Sequence, residues 1–246
     1  MSSPSVTYLI SDLHLTPERP RVIEHFLKFL AGPAKQAEAL YILGDLFEYW
    51  IGDDAAPMLG AEPVLAAMSE LANTRPCYFM AGNRDFLVGQ AFSEQSGFKI
   101  IDDESVVNLY GQETLLLHGD SLCTDDIPHQ QFREAMITNN EWQSQFLSLD
   151  IATRIEQAMQ ARMQSHEHKS KISQEIMDVS ESSVLSAFER YDVRQMIHGH
   201  THRQNQHQHK VNGVNHCRHV LGDWDTSSSI MKVSKDGITI ENQAIG

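Results

Sequence analysis

At 246 residues, with 41% hydrophobic and 8% aromatic content, the chain can bury a sizeable core as one large domain or two small ones. A formal net charge of -14 excludes a general nucleic-acid binder, which needs a basic footprint. It leaves lipid docking open, because a local basic and apolar patch can hold a membrane surface whatever the total charge. Cys77, Cys123 and Cys217 are odd in number and lack metal-type spacing, so they read as reduced thiols of a cytosolic protein. Met1 to Ser5 carry no charged segment leading into an apolar run, and no signal peptide is expected. No window approaches about 18 uninterrupted apolar residues, so any membrane association should be peripheral.

Val6 to Ile10 is a β-branched and aromatic run, read as a first strand ending in Ser11-Asp12-Leu13-His14. Glu18 to Leu30 repeats apolar residues at helical spacing until Gly32-Pro33 stops it. Ala39 to Leu43 is a second strand, ending in Gly44-Asp45, and Glu62 to Leu71 a second amphipathic helix. Pro76 to Met80 is a third strand, ending in Gly82-Asn83-Arg84-Asp85, with a helix predicted over Phe86 to Gln95. Gly97 to Ile101 and Ser105 to Tyr110 read as less buried strands, and Thr114 to Leu117 as a strand ending in His118-Gly119-Asp120. Strands alternating with helices predict an α/β fold.

From about 127 to 190 no strand is evident. Gln130 to Phe146 and Ile151 to Met163 are predicted helices, the latter with Ile151, Ile155, Met159 and Met163 every four residues. Such a stripe is ordinarily a core-facing surface; flanked by Arg154 and Arg162, it also suits a cap that accepts acyl chains. Ser182 to Tyr191 is a last helix. Arg194 to Ile197 is a strand ending in His198-Gly199-His200-Thr201-His202. The tail reads as short strands over Cys217 to Leu221, Ser229 to Val233 and Gly237 to Glu241, forming part of a second sheet. His207, His209, His216 and His219 are expected at surface or strand-edge positions.

One event recurs along the chain: an apolar run that ends in Asp, Asn or His. The ends supply Asp12, His14, Asp45, Asn83, His118, His200 and His202. These are oxygen and imidazole donors, suited to Mn, Fe or Zn and not to a thiolate site. A single Gly-Asp is ordinary turn chemistry. Five such ends, in the order Asp-x-His, Gly-Asp-x-x-Glu, Gly-Asn-Arg-Asp, His-Gly-Asp and Gly-His-Thr-His, form a set. The set resembles the calcineurin-like metallophosphoesterases, and the resemblance covers nearly the whole chain.

That resemblance implies a two-sheet α/β sandwich flanked by helices, with a di-metal site at the strand ends and a helical insertion at about 127–180 within a single domain. It implies one ion on Asp12, His14, Asp45 and His202 and another on Asp45, Asn83, His118 and His200. Many members carry His after the Asn of the third motif, where it can protonate a departing alkoxide. Here Arg84 stands in that place. An arginine clamps phosphate oxygens but donates no proton at neutral pH. The expected leaving group is therefore one that needs no proton, such as the phosphate of a pyrophosphate bond.

Residues around the motifs, among them Trp50 to Asp54, Ser121 to Asp126 and Ile176 to Val179, resemble more narrowly the family's pyrophosphatases of lipid A biosynthesis. This implies two Mn2+ ions, a lipid-linked UDP-sugar substrate cleaved by water attack on the α-phosphorus, and a peripheral place on the cytoplasmic face of the inner membrane. No nucleic acid and no obligate protein partner are expected. Asp45, Asn83, Arg84 and His118 are the implied catalytic residues. Asn83, Arg84, Asp126 and His200 are the implied substrate contacts, and Ser165, Lys169 and Lys171 are candidate contacts in the insertion. Glu48 is expected to orient neighbours of the cage, and Asp53 and Asp54 to shape the adjoining loop. A soluble nucleotide pyrophosphatase or phosphodiesterase of the same fold, or a non-catalytic scaffold, are the alternatives. Loss of ligands would mark the scaffold, and all seven are present.

Overall fold

The computed structural model describes residues 5–171 and 177–246, with only the backbone described over 164–171. Ser165, Lys169 and Lys171 therefore lie outside the described side chains.

Two mixed sheets pack face to face. The first has the order β11-β10-β1-β2-β3-β4, built from β1 (Thr7–Ile10), β2 (Ala39–Leu43), β3 (Cys77–Met80), β4 (Lys99–Ile101), β10 (Ser227–Ser234) and β11 (Gly237–Ala244). The second has the order β5-β6-β7-β9-β8, from β5 (Ser105–Leu109), β6 (Gln112–Leu116), β7 (Gln195–His198), β8 (Asn205–Val211) and β9 (Val214–Val220). β1 through β4 run parallel, as do β6, β7 and β9. Parallel strands need both faces covered, which explains the nearly continuous burial of β1, β3 and β7.

Between the sheets Leu9, Leu43, Met80, Leu116, Ile197, Leu221 and Met231 form one apolar layer. Outside the first sheet lie α1 (Pro20–Ala31), α2 (Glu62–Ala72) and α3 (Gln90–Ser96). Outside the second lies α7 (Glu181–Tyr191), whose Val184 and Phe188 meet Leu115, Leu117 and Met196.

The insertion differs from its sequence reading. A single helix over Gln130 to Phe146 is replaced by α4 (Ile127–Phe132), a π turn (Arg133–Ile137) and α5 (Asn140–Leu147). Asn139 makes the break, its side chain accepting from the Trp142 N–H as an N-cap. α6 (Ile151–Lys171) follows. Ile151 and Ile155 pack on the main core, but Met159 and Met163 are 55% and 73% exposed. The stripe thus splits midway, and its outer half is exposed. α3 begins at Gln90 and not at Phe86, because the Asp53 carboxylate accepts from the Gly89 and Phe92 N–H groups and sets its first turn. The tail is shared between the sheets: β10 and β11 extend the first, while β8 and β9 close the second. Of its histidines, His207 and His209 lie on the edge strand β8, as expected, His209 being buried there, whereas His219 is buried on the internal strand β9, contrary to that expectation.

Candidate active site

The parallel strands of both sheets finish at the same edge, and ligands in α/β folds gather beyond such carboxyl ends. β1 and β2 do not separate there. Asp12 N donates to Gly44 O, His14 N to Asp45 O and Leu15 N to Leu46 O, so the two loops continue as a paired ribbon. The ribbon bends sharply: Asp12, His14 and Asp45 have φ of 56°, 49° and 53°, and His200 and His202 have φ of 64° and 58°. Five of the seven expected ligands thus hold left-handed backbone, a conformation that costs energy and clusters at functional sites. Close approach removes side chains elsewhere. A Cβ on Gly82 would overlap the Asp45 carboxylate, and one on Gly199 that of Asp12.

The donor atoms converge in two groups that share Asp45. His14 Nε2 lies 3.3 Å from His202 Nε2, 3.9 Å from Asp45 Oδ2, and His202 Nε2 is 3.4 Å from Asp12 Oδ1. On the other side Asn83 Oδ1 lies 3.1 Å from His118 Nε2 and 2.9 Å from His200 Nδ1, and His118 Nε2 is 3.6 Å from Asp45 Oδ1. All seven residues singled out from the strand ends are therefore brought together.

The surroundings orient these atoms. Asp12 Oδ2 accepts from Ser11 Oγ (2.6 Å) and His200 N (2.9 Å), while its buried Oδ1 has no hydrogen-bond partner among the described residues. His118 Nδ1 donates to Leu43 O at 2.9 Å, which aims Nε2 at Asp45 and Asn83 and reserves its lone pair for an ion once its proton leaves. Asp45 Oδ1 accepts from Arg84 N at 2.8 Å. An orphaned buried carboxylate oxygen amid imidazole nitrogens and a carboxamide oxygen is the donor chemistry of borderline divalent cations. The residues fit such ions.

Electrostatics agree. Burial lowers the His118 and His202 pKa values, but facing carboxylates outweigh it. Asp45 and Asp12 raise His118 to about 9, and Asp12 and Asp223 raise His202 to about 10. Burial would raise Asp12, yet its imidazole neighbours, His202 first, hold it well below the usual carboxylate range. Burial together with His118 pushes His200 down.

Three residues were missed in the sequence. Asp85 is fully buried, and its carboxylate accepts from Gly82 N (2.8 Å), Asp45 N (3.2 Å), Leu46 N (2.7 Å) and Phe47 N (3.3 Å). It pins the loops after β2 and β3 to each other. Asp103 accepts from His118 N. Asp223 faces His202 Nδ1 at 3.5 Å. Its signal was legible: Val220-Leu221-Gly222-Asp223 repeats the apolar-run-then-Gly-Asp pattern of Leu43-Gly44-Asp45. Glu48 and Asp54 both have ionic neighbours. Glu48 Oε2 lies 3.7 Å from His14 Nδ1 and Oε1 2.7 Å from Arg162 Nη2. Asp54 pairs with the buried Arg154, which also donates to Ile51 O at 2.6 Å and ties α6 to the loop after β2.

Two hollows adjoin the cage. One, of about 430 Å³, lies between the loops after β2 and β3 and the insertion, and is walled by Trp50, Phe86, Phe132, Trp142, Phe146 and Ala161 among others. Asp126, the N-cap of α4, lines it too. The other, of about 220 Å³, is polar and includes Arg19, His202, Asp223 and Asp225. Glu48, Asn83 and Arg84 line both, so the two are contiguous across the cage.

Comparison with known proteins extends this picture. Proteins named UDP-2,3-diacylglucosamine hydrolase are 46% identical in Xanthomonas campestris pv. campestris, over 97% of this chain and 99% of that one, and 45% identical in Escherichia fergusonii, over 95% and 97%. A solved dimetal phosphatase from Danio rerio superposes with a TM-score of 0.50 at 13% identity, over 99% of this chain and 98% of that one, and speaks to the fold alone. The family model for calcineurin-like phosphoesterases matches residues 6–204, a span that holds every one of the seven converging donors from Asp12 to His202. The chain belongs to that family.

Proposed function

We propose that this chain hydrolyses the pyrophosphate bond of UDP-2,3-diacylglucosamine, releasing UMP and 2,3-diacylglucosamine 1-phosphate in lipid A biosynthesis. The observation that carries the reading is the apolar cavity opening on Asn83 and Arg84 beside the cage. A soluble nucleotide has no use for such a wall, whereas an acylated sugar must bury its chains while its phosphates reach the metal ligands. The names of the relatives at 44–46% identity agree with it.

Two Mn2+ ions would be held by the two donor groups, with Asp45 common to both. When bound, they supply Lewis-acid stabilisation of phosphoryl oxygens and an acidified water near neutral pH. The protein's own part is orientation. Asn83 and Arg84, between the hollows, hold the pyrophosphate so that water meets the α-phosphorus in line and the sugar phosphate departs toward the insertion. Arg84 offers its guanidinium to the phosphate oxygens as charge builds on them, and a departing phosphate needs no proton from it. Asp126 and His200 complete the contacts to the sugar phosphate. The insertion, about 127–180, acts as the acyl-chain cap, with Ser165, Lys169 and Lys171 as further contacts on α6.

No helix among the described residues is long and apolar enough to cross a membrane. The proposed place is peripheral, on the cytoplasmic face of the inner membrane, where the substrate's acyl chains reside. The test is hydrolysis of UDP-2,3-diacylglucosamine in Mn2+, with and without chelator, for wild type and Asp45→Ala. Expected are chelator sensitivity and a loss of about 100-fold or more in the variant with its fold retained. Full activity of Asp45→Ala, or equal turnover of a UDP-sugar lacking acyl chains, would overturn the reading.

A further inference from the structure

The apolar cavity accounts for one half of the proposed substrate. The other half, beyond the α-phosphorus, is directed to the opposite side of the cage, because among the described residues the two hollows share the lining of Glu48, Asn83 and Arg84. That side is the polar cleft. Its outer wall is the loop after β9, which places Asp223 and Asp225 on either side of the fully buried Trp224. Arg19 fixes this wall. Its guanidinium donates to Leu13 O (3.2 Å), His14 O (3.4 Å) and Trp224 O (2.5 Å), and meets Asp225 Oδ1 at 3.3 Å. The loop is thereby anchored directly to the ribbon that carries the metal ligands.

The chemistry of the wall selects its occupant. Carboxylates beside a pyrophosphate repel further phosphate oxygens, so they are suited to neutral hydroxyl donors. A vicinal diol answers a carboxylate with two O–H groups, as a ribose does on the acidic residue of a dinucleotide site. Asp223 is already engaged with His202 Nδ1. Asp225 is 72% exposed and is steadied at the rim by Arg19 alone among the described residues.

We propose that the polar cleft beside Arg19 and Asp223 is the nucleoside subsite, with Asp225 accepting the 2′- and 3′-hydroxyls of the uridine ribose. This rests on the pyrophosphatase reading and assigns the half of the substrate that the insertion does not hold.

The test is inhibition of the Mn2+-loaded chain by UMP and by 2′,3′-dideoxy-UMP, with calorimetric binding of both nucleotides alongside. In wild type UMP should bind about tenfold or more tightly than the dideoxy nucleotide, the worth of hydrogen bonds to a charged acceptor. In Asp225→Ala, an exposed position whose change leaves the fold intact, that ratio should fall to about one. Equal binding of the two nucleotides to wild type, or an undiminished ratio in Asp225→Ala, overturns the subsite. If either occurs while the acylated substrate is still turned over, the subsite falls and the pyrophosphatase reading stands. Absence of turnover by wild type strikes that reading instead, and calorimetry then decides the subsite by the same ratio.

Discussion

Replacing Asp85 by Asn should unfold the edge that carries the cage, although the two side chains have nearly the same shape. The carboxylate is fully buried and accepts four backbone N–H groups, from Gly82, Asp45, Leu46 and Phe47. An asparagine has one acceptor oxygen, which can serve two of them. Its NH2 would face the other two, donor against donor. Each buried N–H left without a partner costs about 1–3 kcal/mol, so the substitution should cost about 2–6 kcal/mol. That is a large share of a stability of about 5–15 kcal/mol. Asp85→Ala should cost at least as much, since it frees all four donors. The assay is urea unfolding of wild type and Asp85→Asn, comparing midpoints at constant slope. A change below about 1 kcal/mol would show that the four bonds do not hold the loops after β2 and β3, and the account of Asp85 would fail.

Two further predictions concern the chemistry. Arg84→His should weaken pyrophosphate cleavage by about tenfold to a hundredfold, because imidazole cannot fork onto phosphate oxygens; steady-state kinetics decide it, and a neutral outcome would remove the leaving-group argument. Metal loading near neutral pH should release protons from His118 and His202, since facing carboxylates raise them to about 9 and about 10 in the metal-free chain and an ion needs their lone pairs. Apparent affinity should therefore climb as pH rises toward those values and level off above them. Calorimetry in buffers of different ionisation enthalpy reads the released protons, and a pH-independent affinity would contradict the proposed ligands.

How much of this was legible follows from where the signals lie. Asp45 stood out because a buried parallel strand leaves an uninterrupted apolar run, and a polar residue at its tip marks where the strand stops. The same logic recovered Asn83, His118 and His200, yet passed over Asp223, whose run of Val220 and Leu221 is short. The role of Asp85 was invisible, since nothing local distinguishes a carboxylate that faces solvent from one that gathers four N–H groups from two loops. β8 was missed because Asn205-Gln206-His207-Gln208-His209 offers almost no apolar alternation, being the edge of its sheet. In the insertion, Phe132 and Met136 keep a spacing of four, as do Trp142 and Phe146, and no Gly or Pro lies between the two pairs to mark the break at Asn139, so the sequence reading merged two helices. On α6 the cavity wall is Ala158, Ala161 and Arg162, set round the helix from the larger Met159 and Met163 that drew attention.

The left-handed backbone at Asp12, His14, Asp45, His200 and His202 has a consequence for how the protein ages under mutation. Each such residue holds the chain in a shape that an L-amino acid adopts at a cost of about 1–2 kcal/mol, least for Asp and Asn. That cost falls on folding, before any ion arrives, so the ions meet ligands already aimed. Substituting glycine at one of these positions relieves that strain but removes the ligand, adds unfolded-state entropy, and at Asp12 and Asp45 also forfeits the hydrogen bonds their carboxylates accept. Selection on turnover is what keeps the five bends occupied by ligating side chains.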